Sequence, residues 1–229
     1  MQDAFKICYL CGYPLDAGPE EIDDDHIPPR QFHSREIRVS EKLNLLTFPT
    51  HRKCNCTYQL DEEYFIHTFA PIVMDTFSGG SVWRELLGQY RKGRNVRLNR
   101  KVLGEFQKRP SGLYLPPGKV VKRFDPQRVW RVVWKITRGL FFHEYKVFLP
   151  EDKPRQFDIM SPGEKPPDEF FLLPDEPIYG RYPGIFAYKF RKFEDFFNFH
   201  IWALLFWDKI ITLVYFHDPG CTCDVCRRP

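Results

Sequence analysis

The chain has 229 residues, of which 43% are hydrophobic and 17% aromatic, and it carries a formal net charge of +4. This length and composition predict a globular protein with a sizeable core and exclude a disordered chain. A net charge this small does not indicate a class of partner, so we infer the partner from how the charges are distributed along the chain.

The seven cysteines lie in three groups: Cys8 and Cys11; Cys54 and Cys56; and Cys221, Cys223 and Cys226. Residues 1–7 show no long apolar stretch after a basic start, so we expect no secretion signal and a cytoplasmic location. In an intracellular chain, an odd number of closely spaced cysteines favours metal binding over a disulfide framework.

Residues 1–75 form the first predicted region, and they contain two ligand pairs. Cys8 and Cys11 are followed by Gly12, which suits a tight turn, and His51 with Cys54 repeats the same two-residue gap. Such a gap lets one turn direct both side chains at a single tetrahedral zinc ion. The alternatives are free thiols beside a surface histidine, or Cys56 in place of Cys54.

The elements around these pairs follow the order strand, strand, helix. Ile22–His26 suits a short strand end, and Leu43–Phe48 suits a second strand or a loop that Pro49 and Thr50 interrupt. From about Arg52 the spacing predicts a helix. Its expected apolar face comprises Tyr58, Leu60, Tyr64, Phe65 and Phe69, with Asp61, Glu62 and Glu63 outside.

A more specific pattern lies between the two ligand pairs. Asp25-His26-Ile27-Pro28 ends an acidic run, Asn44 follows in Leu43–Leu45, and Asn55 comes directly after Cys54. In order and spacing, residues 8–65 resemble the HNH (ββα-metal) endonuclease family with its zinc knuckle. Many members of that family carry a cysteine at the position of His51, but histidine also binds zinc.

The resemblance assigns roles to these residues. His26 would be the general base, Asp25 and Asn55 would supply oxygens to a catalytic Mg²⁺ or Mn²⁺, and Asn44 would brace the loop that orients His26. A neutral imidazole can accept a proton from water near pH 7, and a divalent cation takes up charge on the phosphate. The structural zinc would be bound by Cys8, Cys11, His51 and Cys54, whereas Asp23 and Asp24 suit a solvated loop.

The implied function is an endonuclease, with DNA as the expected substrate and restriction or phage defence as the expected setting. Two alternatives remain open at this point. One is a non-catalytic zinc-knuckle module that binds nucleic acid or protein, and the other is a nuclease or toxin directed at RNA. An intact set of Asp25, His26 and Asn55 favours the enzyme, because a pure binding module has no need of that chemistry.

The second region, residues 76–120, is basic and contains several glycine and proline breaks. Between Arg84 and Arg109 it holds nine lysines or arginines against two glutamates. These cations would contact phosphates without selecting a base sequence, and the alternative is a solvated helix face. The candidate residues are Arg91, Lys92, Arg94, Arg97, Arg100 and Lys101.

The third region, residues 121–229, is predicted as an aromatic-rich α+β domain. Asp125 and Pro126 suit a helix start, apolar residues recur at helical spacing up to Leu140, and Gly139 marks the expected end. The predicted strands are Gly184–Lys189 and a buried hairpin of Ile201–Phe206 and Ile210–Phe216. The charged turn of that hairpin, Asp208-Lys209, argues against a membrane span.

The cysteine-rich tail gives a second metal hypothesis. His217, Cys221, Cys223 and Cys226 could bind another zinc ion, and the alternative is a tail whose cysteines bind nothing. The region as a whole could also mediate homodimerisation or bind a regulatory protein. The complete expectation is therefore an α+β protein, with an N-terminal ββα-metal HNH module followed by a basic segment and an aromatic α+β domain.

Overall fold

A computed structural model describes residues 7–16, 18–40, 45–112, 114–117, 119–153, 155–160, 162–178, 182–194 and 199–227. The helices are α1 (Arg35–Ser40), α2 (Arg52–Cys56), α3 (Gln59–Phe69), α4 (Phe77–Arg91), α5 (Val96–Gly104), α6 (Pro126–Tyr145) and α7 (Asp224–Arg227). The strands are β1 (Ile22–Ile27), β2 (Leu46–His51), β3 (Phe106–Gln107), β4 (Val121–Lys122), β5 (Arg155–Met160), β6 (Phe186–Phe193), β7 (Phe199–Phe206) and β8 (Ile210–His217). This mixture of helices and antiparallel sheets confirms the α+β class.

The first hairpin joins β1 and β2 in an antiparallel ladder that leads directly into α2. Strand β2 runs through Pro49 and Thr50, so the predicted break at these residues is wrong. Proline lacks an N–H to donate but is tolerated on an edge strand, and β2 pairs with β1 alone in the described sheet. The predicted order of strand, strand and helix is present.

Helix α6 is the long central helix of the molecule. The side chain of Asp125 caps its first turn by accepting a hydrogen bond from the Arg128 amide, as its sequence predicts. The helix does not end at Gly139, however, and it continues to Tyr145, after which Lys146 takes a left-handed conformation with φ 58°. Gly139 instead makes room for the buried side chain of Ile27 in β1, because an added Cβ would lie 1.8 Å from Cδ1 and 3.0 Å from Cγ1 of that residue.

The larger sheet has the strand order β5-β8-β7-β6, and all its pairings are antiparallel. The predicted hairpin is confirmed, and its turn consists of Trp207, Asp208 and Lys209, of which the first two have φ values of 50° and 55°. Two successive residues with positive φ suit the tight hairpin turn that matches strand twist. In the part of the chain described, no helix is both long and apolar enough to cross a membrane.

One cluster of buried side chains extends from Cys8 to Phe216 and takes members from all three predicted regions. Helix α6 lies within it and contacts α3, β1 and β8. Trp134 is buried, and Trp130 stacks on Phe157 with ring centroids 5.2 Å apart. The helix that the third region supplies is therefore packed against the hairpin of the first region.

Candidate metal centres and the Asp25 site

Four side chains of the first region form a compact ligand group. Its potential donor atoms all lie within 4.8 Å of one another, and the residues are Cys8, Cys11, His51 and Cys54. Sγ of Cys11 lies 3.3 Å from Nδ1 of His51. Zinc–sulfur and zinc–nitrogen bond lengths place these two atoms about 3.6 Å apart in a tetrahedral site. The group could therefore hold a metal ion such as zinc.

Local backbone geometry explains why the group forms. Gly12 adopts φ +78°, and its amide donates to the Cys8 carbonyl at 2.7 Å, which closes a tight turn. On the other side, His51 is the last residue of β2 and Cys54 lies in the first turn of α2. Cys56 is exposed and lies outside the group, so the structure selects Cys54 over Cys56.

A hydrogen bond made by Nε2 of His51 fixes the orientation of the imidazole ring, and with it the direction of Nδ1. Nε2 donates a hydrogen bond to the Pro14 carbonyl at 3.1 Å, because a carbonyl can only accept. The proton is then on Nε2, and the lone pair of Nδ1 faces the cysteines. Histidines that bind metals are usually held in this way by an outer hydrogen bond.

A second ligand group lies at the end of β8. It consists of His217, Cys221, Cys223 and Cys226, whose donor atoms also lie within 4.8 Å of one another. Nδ1 of His217 is 3.1 Å from Sγ of Cys223, 3.4 Å from that of Cys221 and 3.5 Å from that of Cys226. This group could likewise hold a metal ion such as zinc.

Asp25 lies on β1 and is buried. One of its carboxylate oxygens accepts a hydrogen bond from the Tyr9 hydroxyl, and the other accepts from Nζ of Lys135 at 2.8 Å. Nζ of Lys135 also donates to Oδ1 of Asn55 at 3.1 Å. The oxygens that the sequence assigns to a catalytic cation therefore converge on one point, and a lysine ammonium occupies that point.

Glu62 is the third acceptor of this ammonium, with its Oε1 at 2.5 Å from Nζ. The sequence places Glu62 on the outer face of its helix, and this prediction is wrong, because only 8% of the residue is exposed. Leu60, expected on the apolar face, is 70% exposed. Burial raises the pKa of Glu62, although the charge of Lys135 opposes this effect.

His26 follows Asp25 in β1 and is half-buried. Successive residues of a strand project to opposite faces, so His26 does not share the face of the Asp25 carboxylate. Among the described residues, no hydrogen bond joins its ring to Asp25 or Asn55. Burial lowers the pKa of His26 below 6.5 despite the opposing charge of Asp25, so the ring is neutral at pH 7.

The remaining predicted residues of the site are placed as follows. Asp23 and Asp24 are exposed, and Oδ2 of Asp23 accepts a hydrogen bond from Nδ2 of Asn55 at 3.5 Å. Asn44, the predicted brace for His26, lies outside the described residues. The structure thus brings Asp25 and Asn55 together and leaves His26 on the neighbouring strand position.

Sequence reasoning missed the contribution of α6 to this site. Beyond Lys135, the helix supplies Arg138, whose guanidinium donates to the carbonyls of Tyr9 and Leu10 in the Cys8–Cys11 turn at 3.4 and 2.5 Å. A signal was present in the spacing of Arg128, Arg131, Lys135 and Arg138, which forms one basic stripe on a helix. An acidic run that begins at Asp61 supplies the opposite charge.

The basic segment contacts α3, the helix that also carries Glu62. All six candidate cations, Arg91, Lys92, Arg94, Arg97, Arg100 and Lys101, are exposed. Nδ2 of Asn95 donates to Glu63 at 2.6 Å, and Glu63 directly follows Glu62 in α3. Helix α3 therefore contributes Glu62 to the Asp25 site and holds the basic segment through Glu63.

Comparisons with family models, with curated proteins and with solved structures found no match for this chain.

Proposed function

We propose that the protein is a metal-dependent endonuclease of the HNH (ββα-metal) type, which hydrolyses phosphodiester bonds with DNA as the expected substrate. The observation that supports the proposal most directly is the convergence of Asp25 and Asn55 on one cationic group. These residues lie on a strand and on a helix that the Cys8–Cys54 ligand group joins. The exposed cations of α4 and α5 offer a surface for the phosphate backbone.

In this proposal, zinc has a structural role. The Cys8, Cys11, His51 and Cys54 group would hold one zinc ion and keep α2, with Asn55, against the hairpin that carries Asp25. The His217, Cys221, Cys223 and Cys226 group would hold a second zinc ion. Val225 in this tail is 58% exposed, so it contributes little to a core, and metal binding can supply the folding energy that a small core does not.

The donor chemistry of the Asp25 site suits a hard divalent cation, because Mg²⁺ prefers carboxylate and amide oxygens. In the observed arrangement, however, the Lys135 ammonium fills the point where these oxygens meet, and the site does not accommodate both cations there. When bound, a divalent cation would supply charge stabilisation for the phosphate.

His26 would accept the proton of the attacking water, and its neutral ring at pH 7 suits this role. Its position imposes a condition on the substrate. Strand β1 pairs with β2 along one edge, and no other described strand pairs with its opposite edge. A phosphate bound at that edge could contact side chains from both faces of β1, and these include Asp25 and His26.

The test is cleavage of supercoiled plasmid DNA by the zinc-loaded protein with added Mg²⁺ or Mn²⁺. We expect His26→Ala to reduce cutting about a hundredfold or more, the usual contribution of a general base. The matched control is His143→Ala, which replaces another half-buried histidine whose pKa burial also lowers. Cutting by His26→Ala at the wild-type rate would refute the assigned base.

The alternative is a non-catalytic module that binds nucleic acid through its basic segment, and the presence of Lys135 at the cation position favours it. Binding of DNA without any cutting, under every divalent cation tried, would support this alternative. An RNA substrate in the same assay tests the remaining alternative, a nuclease directed at RNA. Faster cleavage of RNA than of DNA would support it.

A further inference from the structure

Lys135 carries a buried positive charge at the centre of the molecule. Its side chain is 1% exposed, and it extends from α6 into the space between β1, α2 and α3. The ammonium has three donors, and three described oxygens accept them, those of Asp25, Asn55 and Glu62 at 2.5–3.1 Å. Every proton of the group is therefore used, although water is excluded.

The charges of this cluster explain why a lysine is stable there. Two buried carboxylates without a counter-ion would be strongly unfavourable, and one ammonium reduces their combined charge from −2 to −1. Burial disfavours the charged form of Lys135, but Asp25 and Glu62 outweigh that effect and raise its pKa. The lysine is thus a resident cation with direct contacts to all three oxygen donors.

The position of this ammonium coincides with the position proposed for a catalytic cation. Both Asp25 and Asn55 direct an oxygen at Nζ, and the remaining oxygen of Asp25 is taken by Tyr9. We propose that Lys135 competes with a divalent cation for the Asp25–Asn55–Glu62 oxygens, so that the cation binds only when the ammonium withdraws. This inference rests on the proposed function for the identity of the competing ion.

A flexible side chain makes such an exchange feasible. The lysine ammonium lies at the end of a four-carbon stem and can move without a shift of the helix. A divalent ion in its place would replace one positive charge by two in a pocket of net charge −1, so the exchange would neutralise the pocket. The competing role differs from a purely positioning role, in which Lys135 would help the metal by holding Asp25 and Asn55 in place.

The experiment measures Mn²⁺ binding to the zinc-loaded protein by electron paramagnetic resonance of the free ion. We expect Lys135→Met to bind Mn²⁺ at least tenfold more tightly than the wild type, because the competitor is removed while the oxygens remain. The control is Lys122→Met, which removes another partly buried lysine, paired with Glu105, and should leave Mn²⁺ affinity unchanged. Adding Asp25→Asn to Lys135→Met should abolish the gain.

A second variant is needed because Lys135→Met alone could fail to fold. Lys135→Met leaves two buried carboxylates without a counter-ion, so we also use Glu62→Gln with Lys135→Met, which restores a net charge of −1. Unchanged or weaker Mn²⁺ binding by the folded variant would overturn the proposed competition. The proposed function has a separate readout, because tighter Mn²⁺ binding without any DNA cutting would support the competition and count against the nuclease.

Discussion

At the scale of single residues, four side chains are enough to form each of the two groups that could hold a metal ion. His51 and His217 each present Nδ1 to cysteine sulfurs at 3.1–3.5 Å. The Pro14 carbonyl fixes the proton of His51 on Nε2. A ligand lost from such a group leaves three donors, and structural zinc requires four.

We predict two zinc ions per chain by elemental analysis. Cys54→Ser and Cys226→Ser should each reduce the content to one, and Cys54→Ser should also lower the melting temperature, because zinc binding contributes to folding. Cys56→Ser is the matched control, since this exposed thiol lies outside both groups. A zinc content of one in the wild type, or of two in Cys226→Ser, would exclude the second centre.

At the scale of secondary structure, α6 connects the two halves of the chain. Lys135 enters the Asp25 site, Arg138 holds the Cys8–Cys11 turn, and Gly139 allows β1 to approach. These three residues follow the spacing of one helix face. The helix therefore determines how the hairpin, the first ligand group and the core are arranged relative to one another.

Gly139→Ala should destabilise the protein although alanine favours helices. The added Cβ would lie 1.8 Å from Ile27, and overpacking of a core usually costs about 1–3 kcal/mol. Gly88→Ala in α4 is the matched control, because no heavy atom lies within 4 Å of its added Cβ. That variant should gain up to about 1 kcal/mol from helix propensity. Thermal denaturation distinguishes the two variants, and equal shifts would contradict the close packing of Gly139 on Ile27.

At the scale of the whole molecule, charge is divided between an interior cluster and an outer surface. The buried side chains of Lys135 and Arg138 donate hydrogen bonds to oxygen atoms in the core, whereas the exposed cations of α4 and α5 remain in water. Exposed cations form few stable pairs within the protein and are available to a polyanion. Helix α3 lies between the two sets and contacts both α5 and α6.

Charge reversal on the outer surface should weaken DNA binding. We expect Arg97→Glu with Arg100→Glu to lower affinity and to reduce the slope of log K against log salt by roughly 1.8, from about 0.9 for each phosphate contact. The control reverses Lys165 and Arg191, two exposed cations of the third region. A similar loss in both double variants would indicate a general charge effect and no preferred surface.

The sequence by itself determined the features that depend on local spacing. The two-residue gaps indicated the first ligand group, Asp125 and Pro126 indicated the start of α6, and the charged turn indicated the hairpin of β7 and β8. In each case, the residues that decide the structure lie within a few positions of one another, so turn and helix geometry constrain them directly. The roles of Asp25, His26 and Asn55 in catalysis remain predictions.

Only the tertiary structure decided which distant residues meet. Lys135 and Glu62 are 73 positions apart, and Lys135 and Asp25 are 110 apart, so no local pattern specifies their contact. The burial of Glu62 and the continuation of α6 through Gly139 follow from the same packing. A buried charge is stable only beside its partner, and the partner is supplied by the fold as a whole.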